Sequence, residues 1–276
     1  MWFGNRWFFL GVAVMLLLPL ILTVNAFMIL STVPETALQT NQPLEAGFTP
    51  APARLSGPDG LHRAAVEMYD AGHYGVAEFY FRQAVIRQPA RADLRNNLGL
   101  VLAAQQKWDQ AQTAYAGALA IDGELAQTYY NLGVAFEQRG MTKNAVAAYK
   151  EAIRIDETLT APYLVLGKLY YIADRPEAAQ RVLQSARQQD PAAPDVALAL
   201  AIVMANEGEL LRAVGVLESA LDYTSDHAES YLHLGQMYLA QSRPQAARVS
   251  LERALELAPE TAVAAAAAAL LQELNG

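Results

Sequence analysis

None of the 276 residues is a cysteine. That one absence removes disulfides, cysteine-ligated zinc, covalent haem attachment and a thiol nucleophile. It also removes the residue to which a bacterial lipoprotein attaches its lipid, so any hold on a membrane must come from the polypeptide itself. Histidine is scarce: His62, His73, His227 and His233 are the only four, and none stands in an HExxH pattern. A GxxxxGK[ST] phosphate loop, a GxSxG nucleophile elbow and a strand-borne GxGxxG are all missing. Positive charge is in deficit, with 20 Lys and Arg against 28 Asp and Glu, and residues 58–276 carry the whole excess. An acidic domain without a basic stripe repels phosphate backbones, which argues against nucleic acid as a partner. These absences predict a chain that is not an enzyme and has no catalytic, metal or cofactor site and no small-molecule substrate.

Charge is also missing from one long stretch. From Trp7 to Leu30 no residue is charged, and a helix of that length covers roughly 36 Å, enough for a hydrocarbon core of about 30 Å. Trp2, Phe3, Trp7, Phe8 and Phe9 crowd one end as an interfacial aromatic belt does. Arg6 precedes the stretch, whereas Glu35 is the first charge after it and the next basic residue is Arg54. The positive-inside rule therefore leaves residues 1–6 in the cytoplasm, makes 7–30 a transmembrane signal anchor and exports the rest. The expected location is a single-pass protein of the bacterial inner membrane with its main domain on the periplasmic side. A cleaved signal peptide is the alternative, because Val24-Asn25-Ala26 has the small-residue spacing of a cleavage site. Residues 31–57, with Pro34, Pro43, Pro50 and Pro52 and no apolar period, read as a linker.

What the rest of the chain has is a period of 34. Units begin at 58, 92, 126, 160, 194 and 228 and end at Thr261, without an insertion. Position 8 reads Ala65, Gly99, Gly133, Gly167, Ala201 and Gly235. Position 20 is alanine in every unit, from Ala77 to Ala247, and position 27 likewise, from Ala84 to Ala254. Position 24 is always large: Phe81, Tyr115, Tyr149, Leu183, Leu217 and Leu251. Small residues facing large ones at fixed offsets are what two antiparallel helices need to interlock. Asp174-Arg175-Pro176-Glu177 and Ser242-Arg243-Pro244-Gln245 each read as a capping box with an early helical proline. Residues 262–276 begin a seventh first helix and stop, as a cap would, with Leu270, Leu271 and Leu274 turned to the sixth unit.

The unit Ala126–Leu159, with Tyr129, Leu132, Gly133, Phe136, Gly140, Ala145, Tyr149 and Ala152 at positions 4, 7, 8, 11, 15, 20, 24 and 27, resembles the tetratricopeptide repeat (TPR). The resemblance implies an all-α fold: a right-handed superhelical solenoid of six TPR helix pairs (58–91, 92–125, 126–159, 160–193, 194–227 and 228–261) plus the capping helix 262–276, preceded by the single transmembrane helix. It also implies a concave surface lined by the first helix of each unit at positions 2, 5, 6, 9, 12 and 13, where partners lie. The Lys and Arg of the family's chaperone-tail clamp are absent: Gln127 with Asn131, or Ala161 with Val165, stand in their places.

By that resemblance Asn97 and Asn131 are groove asparagines able to hold a peptide backbone, since an amide donates and accepts at once. Tyr130 lies beside them. The later units offer Leu164, Val165, Tyr171, Leu198, Ile202, Leu232 and Leu239 instead. The groove thus reads as polar in units one to three and apolar in units four to six, and the apolar part suits an apolar or amphipathic helix of a partner. Packing between neighbouring first helices is the other reading of those apolar residues. The expected function is a membrane-tethered scaffold or assembly factor for membrane-associated protein partners. A permanent subunit of a membrane complex and a soluble exported adaptor for peptides or envelope polymers remain alternatives.

Overall fold

The computed structural model describes residues 58–275. The expected cytoplasmic residues 1–6, transmembrane segment 7–30 and linker 31–57 lie outside the described residues. Among the described residues no helix is long and apolar enough to cross a membrane. These residues form thirteen α-helices and no strand. They are α1 (Pro58–Asp70), α2 (Tyr74–Arg87), α3 (Ala92–Ala104), α4 (Trp108–Leu119), α5 (Ala126–Gln138), α6 (Thr142–Ile155), α7 (Thr160–Ile172), α8 (Pro176–Gln189), α9 (Pro194–Asn206), α10 (Leu210–Leu221), α11 (Ala228–Ala240), α12 (Pro244–Leu257) and α13 (Ala262–Asn275). Odd-numbered helices start 34 residues apart, so each unit of the sequence period holds one helix pair.

The interlock within each pair follows the residue types. A Cβ added to Gly99 would come within 2.4 Å of the Tyr115 ring, and one on Gly133 within 2.5 Å of the Tyr149 ring. Position 8 must therefore be tiny because position 24 fills the space above it. Tyr115, Tyr149, Leu183, Leu217 and Leu251 are among the fully buried large side chains, and all six alanines of position 20 are 0% exposed. An interior this tight favours alanine on both counts, since it keeps the helix axes close and has high helix propensity.

The turn between paired helices repeats as strictly. Position 15 is left-handed in every unit: Gly72, Gln106, Gly140, Asp174, Gly208 and Ser242 have φ between 56 and 83°. Here the capping-box reading needs correction. Asp174 and Ser242 end the preceding helix rather than start the next one. Asp174 donates its backbone N–H to the Tyr171 carbonyl at 3.0 Å, and Ser242 donates to the Leu239 carbonyl at 2.9 Å. The N-caps are Arg175 and Arg243, with no side-chain cap bond, and Pro176 and Pro244 open the helices. A polar residue three places before Glu or Gln satisfies the capping pattern, but the left-handed turn claims that residue first.

The helices form two compact units, residues 58–162 and 163–275, with the boundary in the first turn of α7. The first has a core of Leu61, Phe81, Leu94, Leu102, Tyr115 and Leu132 with their neighbours. The second is built around α9 and α10, with Leu183, Leu200, Met204, Leu217 and Met237 in one cluster. At its end α13 brings Leu270, Leu271 and Leu274 against Leu232 and Leu251 of the sixth pair, the placement expected of a cap.

Candidate protein-binding face

In residues 58–162 the first helices α1, α3 and α5 carry a connected row of polar side chains. His62 on α1 meets Asn97 on α3, with Nε2 and Nδ2 3.1 Å apart. Asn96 donates to Asn97 Oδ1 at 3.3 Å. Asn96 Oδ1 in turn accepts from the Thr128 hydroxyl at 3.0 Å and from Asn131 Nδ2 at 3.5 Å. Gln127 donates to Asn131 Oδ1 at 3.2 Å. The two asparagines singled out by resemblance are thus linked, and Asn96 is the pivot between them. An amide has two N–H groups and two lone-pair sites, so Asn97 keeps one of each for a ligand after these bonds. Asn96, Asn97 and Asn131 are all half-buried, held in place yet open to solvent on one side.

Tyr130, also half-buried, stands beside this row with its ring 5.7 Å from that of Tyr149. Tyr149 donates its hydroxyl to Glu137 Oε2 at 3.0 Å. Burial, reinforced by the Glu137 carboxylate, pushes that phenol well above its ordinary value, so it stays a donor at any physiological pH. Between α2 and α3–α4, Glu78 accepts from Lys107 at 2.7 Å, Arg82 at 2.8 Å and Gln105 at 2.9 Å. Burial raises its pKa, but those three hydrogen bonds outweigh it and hold the carboxyl below its usual range.

The residues 163–275 present a different chemistry at equivalent positions. Leu164, Tyr171 and Leu239 are half-buried and pack against the cluster that contains Leu198 and Ile202, which are themselves 0% and 2% exposed. Leu232 is buried in the neighbouring cluster with α13. Val165 is half-buried and stands outside both clusters. The structure thus brings Leu164, Tyr171, Leu198, Ile202 and Leu239 to one apolar body, of which only Leu164, Tyr171 and Leu239 reach solvent in part. Asn206 Nδ2 donates to the Tyr171 hydroxyl at 2.8 Å, bridging α7 and α9. His233 at position 6 is 1% exposed, and burial, with His227 nearby, lowers its pKa to about 4. It is therefore a neutral imidazole at neutral pH, with Nδ1 buried and unpartnered.

Sequence reasoning missed Thr128 and the pivotal role of Asn96. The signal was available in part: Asn96 precedes Asn97 on α3, and Thr128 lies 32 residues further on, at the start of the next first helix α5. No group of three or more His, Cys, Asp or Glu able to hold a metal ion occurs among the described residues.

Comparison with known proteins bears on the scaffold of this face. Tetratricopeptide repeat models match residues 90–158, 137–203 and 228–261, together more than half of the chain. No curated protein matches it significantly. Among solved structures, YrrB, a TPR protein with an unusual peptide-binding site, is 22% identical with a TM-score of 0.51, covering 68% of this chain and 97% of YrrB. PilF of Pseudomonas aeruginosa is 19% identical with a TM-score of 0.60, covering 79% of this chain and 99% of PilF. MamA is 23% identical with a TM-score of 0.51, covering 60% of this chain and 91% of MamA. At such identities the likeness concerns the fold, and with the matched repeats and the stacked helix pairs it shows that the chain belongs to the tetratricopeptide repeat family.

Proposed function

We propose that this protein is a non-catalytic scaffold or assembly factor, tethered to a membrane by residues 7–30, which holds segments of membrane-associated protein partners along the first helices of its repeats. The family is one of protein-binding repeats, and the observation that carries the reading is the connected row His62, Asn97, Asn96, Asn131 and Gln127. Asn97 and Asn131, one repeat apart, each present an amide able to pair with both the N–H and C=O groups of a peptide backbone. In residues 163–275 the partly exposed Leu164, Val165, Tyr171 and Leu239 offer a separate apolar face suited to a helix, while Leu198, Ile202 and Leu232 lie buried beneath it. Tethering makes modest affinity sufficient, because confinement raises the effective concentration of the domain near membrane-embedded partners. Export of the domain to the periplasmic side follows from the charge asymmetry around residues 7–30.

The test is purification of the full chain from mildly solubilised membranes, with the intact mass of its N-terminus and the stoichiometry of what accompanies it. The reading expects residues 1–30 to be retained and a membrane protein to be recovered in fixed ratio. It further expects Asn97→Ala with Asn131→Ala to reduce that recovery at least about tenfold, a loss of about 1.4 kcal/mol, while helicity is unchanged. A mature chain beginning at Phe27, or a partner retained by the double variant, contradicts it.

A further inference from the structure

Within residues 163–275 the second helices α8 and α10 flank a cleft of about 580 Å³, to which α9 contributes Leu200 and Met204. That volume is in the range of small-ligand sites. Gln188 of α8 and Arg212 and Gly215 of α10 line it and are exposed, so it opens to solvent. Two of its residues break the repeat. Position 28 is aliphatic in five units, as Val85, Leu119, Ile153, Leu221 and Leu255, and is Arg187 in the fourth. Position 22 carries a side chain in five units, as Phe79, Thr113, Ala147, Arg181 and Val249, and is Gly215 in the fifth. Arg187 is half-buried; its Nη2 donates to Ser219 Oγ at 3.1 Å, its Nε is buried without a partner, and among the described residues no carboxylate pairs with it. A guanidinium drawn partly out of water with one neutral bond is under-compensated. The other arginine of the cleft, Arg212, is paired with Glu209. Gly215 has no packing reason within the chain: a Cβ added there meets nothing within 4 Å, whereas Gly99 and Gly133 lie under tyrosine rings. Glycine inside a helix destabilises it relative to alanine, and its use is close approach to the backbone.

We propose that this cleft binds a single carboxylate carried by a peptide segment, as its chain end or as an acidic side chain, with Arg187 as the counter-charge and Gly215 as the bare wall against which the segment lies. Guanidinium and carboxylate match as two parallel N–H···O bonds. With Nε buried, those bonds come from Nη1 and from the second N–H of Nη2. Gln184 and Gln188 add amides that donate to and accept from the segment's backbone. One carboxylate fits better than a phosphate, because the chain's net charge of −8 disfavours a polyanion and only one cation of the cleft lacks a partner. The site stands on the second helices, goes beyond the first-helix row proposed above and does not depend on it.

The test is calorimetric titration of the full-length chain with three tripeptides: acetyl-Ala-Leu-Leu with a free carboxylate, its C-terminal amide, and the amide of acetyl-Ala-Glu-Leu. The expected result is that the first or the third binds at least about tenfold more tightly than the second, the first assigning a chain end and the third a side chain. Arg187→Leu, which installs the residue that units two, five and six carry at position 28, is expected to abolish that preference. Gly215→Phe, which installs the residue of unit one at position 22, is expected to weaken binding at least about tenfold by filling the cleft. Both variants keep residue types the repeat already uses, and unchanged helicity verifies that they fold. Equal binding of all three peptides, or a preference that survives Arg187→Leu, overturns the proposal. Inorganic phosphate that binds as tightly as the preferred peptide overturns the assignment to a carboxylate. Asn97→Ala with Asn131→Ala is expected to leave the titration unchanged; loss of binding there places the peptides on the first-helix row and overturns the site, so failure here is distinguishable from failure of the scaffold reading.

Discussion

Residues 58–162 and residues 163–275 use the same repeat to opposite ends. Both keep alanine at positions 20 and 27 and a large apolar residue at position 24, and both bury them. On the first helices they part. The earlier unit leaves His62, Asn97 and Asn131 partly exposed in a hydrogen-bonded row and carries ion pairs such as Glu78–Lys107 at 2.7 Å and Arg139–Asp109 at 2.7 Å. The later unit buries Leu198, Ile202 and His233 and leaves His233 Nδ1 and Gln236 Oε1 without partners. The lesson is that the residues that lock a helix pair and those that face a partner occupy different positions, so one can vary while the other stays fixed.

The contrast can be sharpened by substitution. Leu200→Ala, in the 0% exposed heart of the later unit, is expected to cost about 2–5 kcal/mol through lost burial and the cavity left behind. A urea unfolding midpoint that falls at constant slope would show it. His233 gives the later unit its own pH signature. Its folded pKa of about 4 lies below its ordinary 6.5. The unfolded chain therefore takes up a proton that the folded one refuses, and stability present above pH 6.5 is lost as the pH falls towards 4. The expected loss is roughly 3 kcal/mol, removed by His233→Leu and read from denaturation midpoints across that window. Glu78 in the earlier unit has a lowered pKa, so its contribution is present above the ordinary carboxylate range and disappears only as the pH falls through and below that range.

Smaller effects separate pivot from periphery. Asn96→Ala leaves the Thr128 hydroxyl, on a residue 2% exposed, without its acceptor. It should cost about 1–3 kcal/mol in thermal or urea unfolding. At position 15, Gln106 holds φ 59°, where units one, three and five use glycine. Gln106→Gly is expected to gain up to about 1 kcal/mol by relieving a left-handed residue, an outcome differential scanning calorimetry can resolve.

Much of this architecture was legible beforehand because it is local and periodic. A glycine at position 8 opposite a tyrosine at position 24 announces a close helix crossing, and Gly133 with Tyr149 meets that description. The turn was less legible. Asp174 and Ser242 fit a helix start as well as a helix end in sequence, and only the backbone conformation distinguishes the two. Asn97 and Asn131 were readable as a pair through the period, whereas their connection through Asn96 and Thr128 depends on which helix faces meet. The burial of His233 had no sequence signal, since it arises from what surrounds α11 and not from the residue's neighbours in the chain.

The row of position 6 offers the most direct measurement of the contrast between the two units. Single cysteines are placed in turn at Arg63, Asn97, Asn131, Ala199 and His233 of the full-length chain, and maleimide labelling rates are compared. The account predicts ready labelling at the first three and labelling slower by about a hundredfold at the last two, where local opening must come first. Equal rates along the row would contradict it, because the repeat would then present one uniform open face from end to end.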